Sequence, residues 1–267
     1  MASIDLLGIP HDENSSYMRG PAEAPPLIRR ELHSDVYSCW SETGVDLGAA
    51  GTFVDHGDIE FGADSDPWDL IDQHVGRVMT SGNPLICLGG DHAITHPIVR
   101  AVRRRQAKLT IVHVDAHADI YHAYQGNLRS HASPFARIME EGLVERLLQV
   151  GLRTVNDEHR EQFRRFGVEV IEAGRCAEKI RLDLTTPVYL SVDIDALDPA
   201  FAPGVSHREP GGLSTRQVID LIHAIDQPIV AADIVEYNPR CDISNMTANV
   251  AAKLLKEIAG VMSLRRQ

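Results

Sequence analysis

Apolar residues in this chain gather in short dense runs, most of them ended by glycine or a charged residue. Runs at 4–9, 84–88, 109–114, 147–150, 168–171, 187–192 and 229–234 predict strands, those at 84–88 and 109–114 buried, and 54–58 predicts a short strand or bridge. Between them the spacing turns helical: from about residue 24, then at 67–79, 94–105, 134–141, 157–166, 215–224 and 247–259. Ser214 is a good N-cap for the helix at 215–224. The prolines after Ala24 suit a first turn, where a missing N–H is harmless. Residues 34–66 otherwise read as irregular. Strands that are apolar throughout need cover on both faces. Strands alternating with helices therefore predict an α/β fold with a mainly parallel sheet covered on both sides. No repeat, low-complexity tract or linker interrupts residues 1–267, which predicts one domain.

Composition narrows the partners. Lys+Arg 26 against Asp+Glu 38 gives a net charge of −12, which argues against nucleic acid or an anionic membrane. Cys39, Cys87, Cys176 and Cys241 are scattered without CxxC spacing, so neither a zinc knuckle nor a disulfide framework is expected. Reduced thiols in a cytoplasmic protein are the simplest expectation. The N-terminus has no basic n-region or long apolar h-region, and no apolar run reaches membrane-spanning length.

The chemistry sits where the apolar runs stop. Three of them end in LGGDH, HVDAHAD and SVDID, and parallel sheets bind ligands at the carboxyl ends of their strands. In HVDAHADIY, Asp115, His117 and Asp119 occupy every second position. If the chain stayed extended, Asp115 and Asp119 would lie about 13 Å apart, at roughly 3.3 Å per residue. One metal centre cannot span that, so the strand must end near Asp115 and curl. The donors to collect are His92, Asp115, His117, Asp119, Asp193 and Asp195. Two imidazoles and four carboxylates exceed the needs of one ion and suit two, bridged by carboxylates. Two divalent cations would quench the carboxylate repulsion and acidify a shared water for hydrolysis. DxD after a strand is often only a turn or cap, and GGDH alone is weaker still; three such motifs at three strand ends are not explained that way. His113, one step inside the strand, reads as a supporting core residue, and His96, His122 and His207 default to loop or supporting roles.

At this point LGGDHAITHP, HVDAHADIY and SVDIDALDPAFAPGVSHREPGG resemble the three signature motifs of the ureohydrolases, the arginase/agmatinase family. GNLRSHASPFARIMEEG, RLLQVGLRTVN and ADIVEYNPRCD are similar too, most closely to plant-type arginases and bacterial agmatinase-like proteins. The chain lacks the longer C-terminal tail of animal arginases, and its connection from Gly174 to Pro187 is shorter than in the plant enzymes. The resemblance implies a three-layer α/β/α sandwich around an eight-stranded parallel sheet, assembled as trimers or hexamers. It implies two Mn²⁺ per subunit. His92, Asp115, Asp119 and Asp193 would hold one; Asp115, His117, Asp193 and Asp195 would hold the other. His131 matches the proton-shuttling histidine and Glu236 the carboxylate that pairs with a substrate guanidinium. Asp119 would also hold the nucleophile by a hydrogen bond.

The implied reaction splits a guanidino group into urea and a primary amine, with L-arginine to L-ornithine ahead of agmatine to putrescine or another guanidino acid. Asn127 and Arg129, between Asp119 and His131, sit where the family contacts the substrate tail. An arginine there would attract an α-carboxylate, so Arg129→Ala is expected to raise KM for arginine far more than for agmatine. The rival readings are a metal hydrolase of another bond, such as the single-zinc deacetylases of the same fold, and a metal-stabilised binding protein.

Overall fold

In the computed structural model, which describes residues 3–35, 38–62, 64–176 and 181–265, eight strands form one sheet in which every pairing is parallel. They are β1 (Ile4–Ile9), β2 (Phe53–Asp58), β3 (Leu85–Gly89), β4 (Thr110–Val114), β5 (Arg146–Leu152), β6 (Glu169–Glu172), β7 (Val188–Asp193) and β8 (Ile229–Val235). Their order across the sheet is β2-β1-β3-β8-β7-β4-β5-β6. The last strand in sequence thus slots between β3 and β7, near the middle. The helices are α1 (Ala24–Leu32), α2 (Pro67–Val78), α3 (Thr95–Arg103), α4 (Pro134–Glu140), α5 (Asp157–Phe166), α6 (Thr215–Ala224) and α7 (Met246–Leu264).

The pleat divides each central strand between two cores. Ile86, Leu88, Val112 and Val114 face one, with α1, α6 and α7; Leu85, Cys87, Leu109 and Ile111 face the other, with α2, α3 and α4. That is the expected α/β/α sandwich. The run at 168–171 is the edge strand β6, with exposed Glu169 and Glu172 at its ends. Edge position, not local sequence, decides that exposure. The last helix outruns its predicted end at residue 259, because Gly260 does not stop it. A Cβ there would come within 2.6 Å of the Ser41 Oγ, so the glycine serves close packing rather than capping. Part of the short connection after Gly174, residues 177–180, lies outside the described residues.

The order of the strands places the site. β3, β8, β7 and β4 are consecutive neighbours, and their carboxyl ends release His92, Glu236, Asp193 and Asp115 at one edge of the sheet. The first of these ends needs Gly90. A Cβ at that position would meet the His11 carbonyl oxygen at 1.8 Å, so only glycine lets the 11–16 loop close over the β3 tip.

Candidate metal centre

β4 stops at Val114, and Asp119 then takes a left-handed backbone, φ 45°. The chain therefore curls after Asp115, as the ligand spacing required, and folds three alternate residues towards one point. Glu236, just past β8, is left-handed as well, φ 62°. Left-handed backbone is unfavourable for both residue types and persists where surrounding structure enforces it, often at functional sites.

Two groups of donors result. His92, Asp115, Asp119 and Asp193 bring one ligand atom each within 4.8 Å of one another, as do Asp115, His117 and Asp195. His92 Nδ1 stands 3.1 Å from Asp115 Oδ2, Asp119 Oδ2 and Asp193 Oδ2 alike. His117 Nδ1 is 3.1 Å from Asp195 Oδ2 and 3.5 Å from Asp115 Oδ1. Asp115 belongs to both groups, as a bridge would. Asp193 belongs only to the first within that limit, whereas the resemblance implied that it bridges too. His92, His113 and Asp115 also lie within reach of one another. There, however, Gln149 Nε2 donates to His113 Nδ1 (3.0 Å), so the ring carries its hydrogen on Nε2 and donates it to Asp115 (2.7 Å). His113 therefore orients a carboxylate, the supporting role expected from sequence.

The donor set fits divalent cations. His92 Nδ1 is buried without a hydrogen-bond partner although three carboxylates surround it. Its other nitrogen is held by Ser191 Oγ at 2.9 Å, which itself donates to the buried Asp233. Burial, then the charges of Asp195 and Asp115, push Asp193 well above the usual carboxylate range. Burial and Asp115 likewise raise Asp195, against the pull of His117. The imidazoles of His92 and His117 rise although burial opposes it, because carboxylates surround both. The site is short of positive charge in a way that cations of borderline hardness would supply.

Beside this floor stands a second pair. His131 Nδ1 lies 2.9 Å from Glu236 Oε1, which also accepts the His92 backbone N–H at 3.0 Å. Burial would lower His131, but the Glu236 carboxylate overrides it, with help from Asp119 and Asp91, and brings the ring up to about 9. Ser16 Oγ holds the other ring nitrogen at 2.9 Å. Its loop is anchored by Asp91, which accepts from the Asn14 N–H (2.9 Å) and the Ser15 hydroxyl (3.3 Å).

A cavity of about 240 Å³ opens over both groups. His117, Asp119, His131, Asp193, Asp195 and Glu236 line it; His92 and Asp115 lie beneath, fully buried. Sequence reasoning missed Ser16, Tyr121, Tyr124, Thr154 and His159, and placed His207 in the background. His207 stacks on His131 with ring centroids 5.5 Å apart. Two residues expected on this wall are elsewhere. Arg129 pairs with Asp66 at 2.7 Å and lies over the Trp68 ring, 4.7 Å from its centroid. Asn127 is exposed, donates to Asn14 Oδ1 and accepts the Arg129 N–H. A carboxylate and an aromatic face on α2 and its cap outcompete the cavity for Arg129.

Residues 2–260 match the Arginase family model. Arginase 1, mitochondrial, of Arabidopsis thaliana is 46% identical over 98% of this chain and 82% of its own length. N(1)-aminopropylagmatine ureohydrolase of Thermus thermophilus is 35% identical over 99% of this chain and 92% of its own. The solved structure of arginase from Medicago truncatula superposes with a TM-score of 0.92 at 40% identity, covering 98% of this chain and 87% of that one. These relatives also correct one expectation. The cytoplasmic reading fails, because the plant relatives from Arabidopsis thaliana and Medicago truncatula are named mitochondrial or chloroplastic. The four free cysteines do not say which compartment surrounds the chain. With the family model spanning nearly the whole chain and the sheet and helices superposing on a solved arginase, the chain belongs to the arginase family of ureohydrolases.

Proposed function

We propose that this chain, as a single domain, hydrolyses L-arginine to urea and L-ornithine with two Mn²⁺ per subunit. His92, Asp115, Asp119 and Asp193 would hold one ion, and Asp115, His117, Asp195 and Asp193 the other. One observation carries the reading: two donor groups sharing Asp115 underlie a cavity whose wall holds the His131–Glu236 pair. When bound, the two cations supply an acidified water and neutralise the clustered carboxylates.

The chain's own residues do the rest. A guanidinium carbon is a poor electrophile, because its charge is delocalised, so placement matters. Both hydrogen bonds to Glu236 fall on Oε1, which leaves the second oxygen to pair with a guanidinium N–H. Holding the carbon over the metal floor makes attack effectively intramolecular. An amine leaves only when protonated, and His131, charged below about 9, carries that proton. Ser16 and Glu236 fix both nitrogens of the ring, so the acid stays aimed.

A second reading, agmatine to putrescine, draws support from Arg129: its ion pair with Asp66 removes an arginine from the cavity wall. Urea release from arginine, agmatine and guanidinobutyrate with Mn²⁺ present, together with metal analysis, tests the whole proposal. Urea from arginine with two ions per chain supports it. No urea from any guanidine, or one ion per chain, sinks it. Assembly as a homo-oligomer, trimer or hexamer, completes the reading, and sedimentation velocity checks it.

A further inference from the structure

Both ring nitrogens of His131 already have partners in the protein. Nδ1 lies 2.9 Å from Glu236 Oε1, and Nε2 lies 2.9 Å from Ser16 Oγ. Burial opposes the charge on Glu236, but His131 beside it wins and holds that carboxyl below its usual range. A carboxylate only accepts, so Nδ1 carries a hydrogen whether the ring is charged or neutral. The oxygen it meets is pinned in turn by the His92 N–H at 3.0 Å. With the ring charged, Nε2–H donates to Ser16 Oγ, and the hydroxyl's own hydrogen has no partner among the described residues. Ser16 is exposed and lines the cavity, whereas His131 is 7% exposed and covered by the stacked His207 ring. The backbone on either side of Ser16 is fixed. The Asn14 carbonyl accepts the His131 N–H at 3.2 Å, and the Met18 carbonyl accepts the Ser206 hydroxyl at 3.1 Å.

We propose that Ser16 is a further catalytic residue, its hydroxyl passing the proton of His131 to the departing amine. This rests on the ureohydrolase reading and deepens it. As the bond between the guanidino carbon and the chain nitrogen breaks, its electron pair stays on nitrogen. That nitrogen takes the hydrogen of Ser16 Oγ, and Oγ takes the hydrogen of His131 Nε2. Ser16 ends as a hydroxyl and His131 as a neutral ring, Nδ1 still donating to Glu236 and Nε2 now accepting from Ser16. The exposed hydroxyl then takes a proton from solvent and returns one to the ring, which balances the proton released by the attacking water. The relay follows from adjacency: one nitrogen is committed to a fixed carboxylate, and the other reaches the cavity only through Ser16.

The test compares Ser16→Ala, which removes the hydroxyl, with Ser16→Thr, which keeps it. The Ala variant is expected to lose about 10²-fold in kcat, the lower range for a positioned proton transfer, with KM little changed. The Thr variant should keep most of the parent's kcat. Single-turnover rates in mixtures of H₂O and D₂O count the protons in flight. Two moving together make the rate fall along a curve in the parent and the Thr variant, and one makes it fall along a line in the Ala variant. A readout without turnover comes from the metal-free protein: the ¹⁵N resonance of His131 Nε2 should move in Ser16→Ala and return in Ser16→Thr, with Nδ1 steady in both. An unchanged kcat in the Ala variant, equal losses in the Ala and Thr variants, or the same isotope response in parent and Ala variant overturns the relay. A parent protein that releases no urea from any guanidine overturns the ureohydrolase reading itself.

Discussion

At the scale of single residues, most donors of the centre were legible and most of the cavity wall was not. Asp115, His117 and Asp119 announce themselves, because no structural need puts three such groups on alternate residues after an apolar run. His159 carries no such signal; its sequence context is an ordinary helix start, and only the fold turns its ring into the cavity. Arg129 shows the reverse error, since its guanidinium had a partner 63 positions away that no local reading supplies. Arg129→Ala is accordingly expected to leave KM for arginine and agmatine changed alike and little, with at most about 1 kcal/mol of stability lost from an exposed pair. A large rise for arginine alone would put that side chain back in the site. His131→Asn should lower kcat by roughly 10²–10⁴, the usual contribution of a general acid, with a smaller change in KM. The pH profile adds a signature. His131 is raised from 6.5 to about 9, so its proton is in place below that value and is lost as pH rises through it. The alkaline limb of kcat near 9 should vanish in the Asn variant. By linkage, the stability from the charged pair is fully present below about 6.5 and disappears as pH rises through about 9.

At the scale of elements, strand tips matter more than strand bodies. The apolar runs located seven strands and suggested the eighth, but they could not order them. Placing β8 between β3 and β7 requires long-range pairing, Leu85 with Ala231 and Asp193 with Val235, and that pairing brings Glu236 beside His92. The β3 tip depends on Gly90, whose missing Cβ admits the His11 backbone. Gly90→Ala should cost about 1–3 kcal/mol, the range for forcing extra volume into a packed site. It should also impair activity beyond that, because the displaced loop carries Ser16 away from His131. Denaturant unfolding and urea release read the two effects separately; an unchanged kcat with intact stability would show that the loop tolerates the shift.

At the scale of the whole molecule, the centre is a concentration of buried negative charge that the rest of the fold must hold together. Asp115, Asp193 and Asp195 are each at most 3% exposed. Cations that bind only the folded chain stabilise it by mass action, about 2.7 kcal/mol per site at a free concentration 100-fold above Kd. Chelation should therefore lower Tm in a metal-concentration-dependent way, and Mn²⁺ should restore both Tm and urea release. A Tm that does not respond to chelator while activity disappears would detach the metal from folding stability.

What the sequence determined by itself was the alternation of strands and helices, the covered sheet and the polar strand tips, because these follow from local periodicity and from residue types that have few structural reasons to stand there. What only the tertiary structure decided was adjacency. The insertion of β8, the diversion of Arg129 to α2's cap, the closure of the 11–16 loop and the turning of His159 inward all join residues far apart in the chain, or settle which surface a side chain meets. Such contacts are chosen by the packing of the whole sheet, and no window of neighbouring residues contains the forces that choose them.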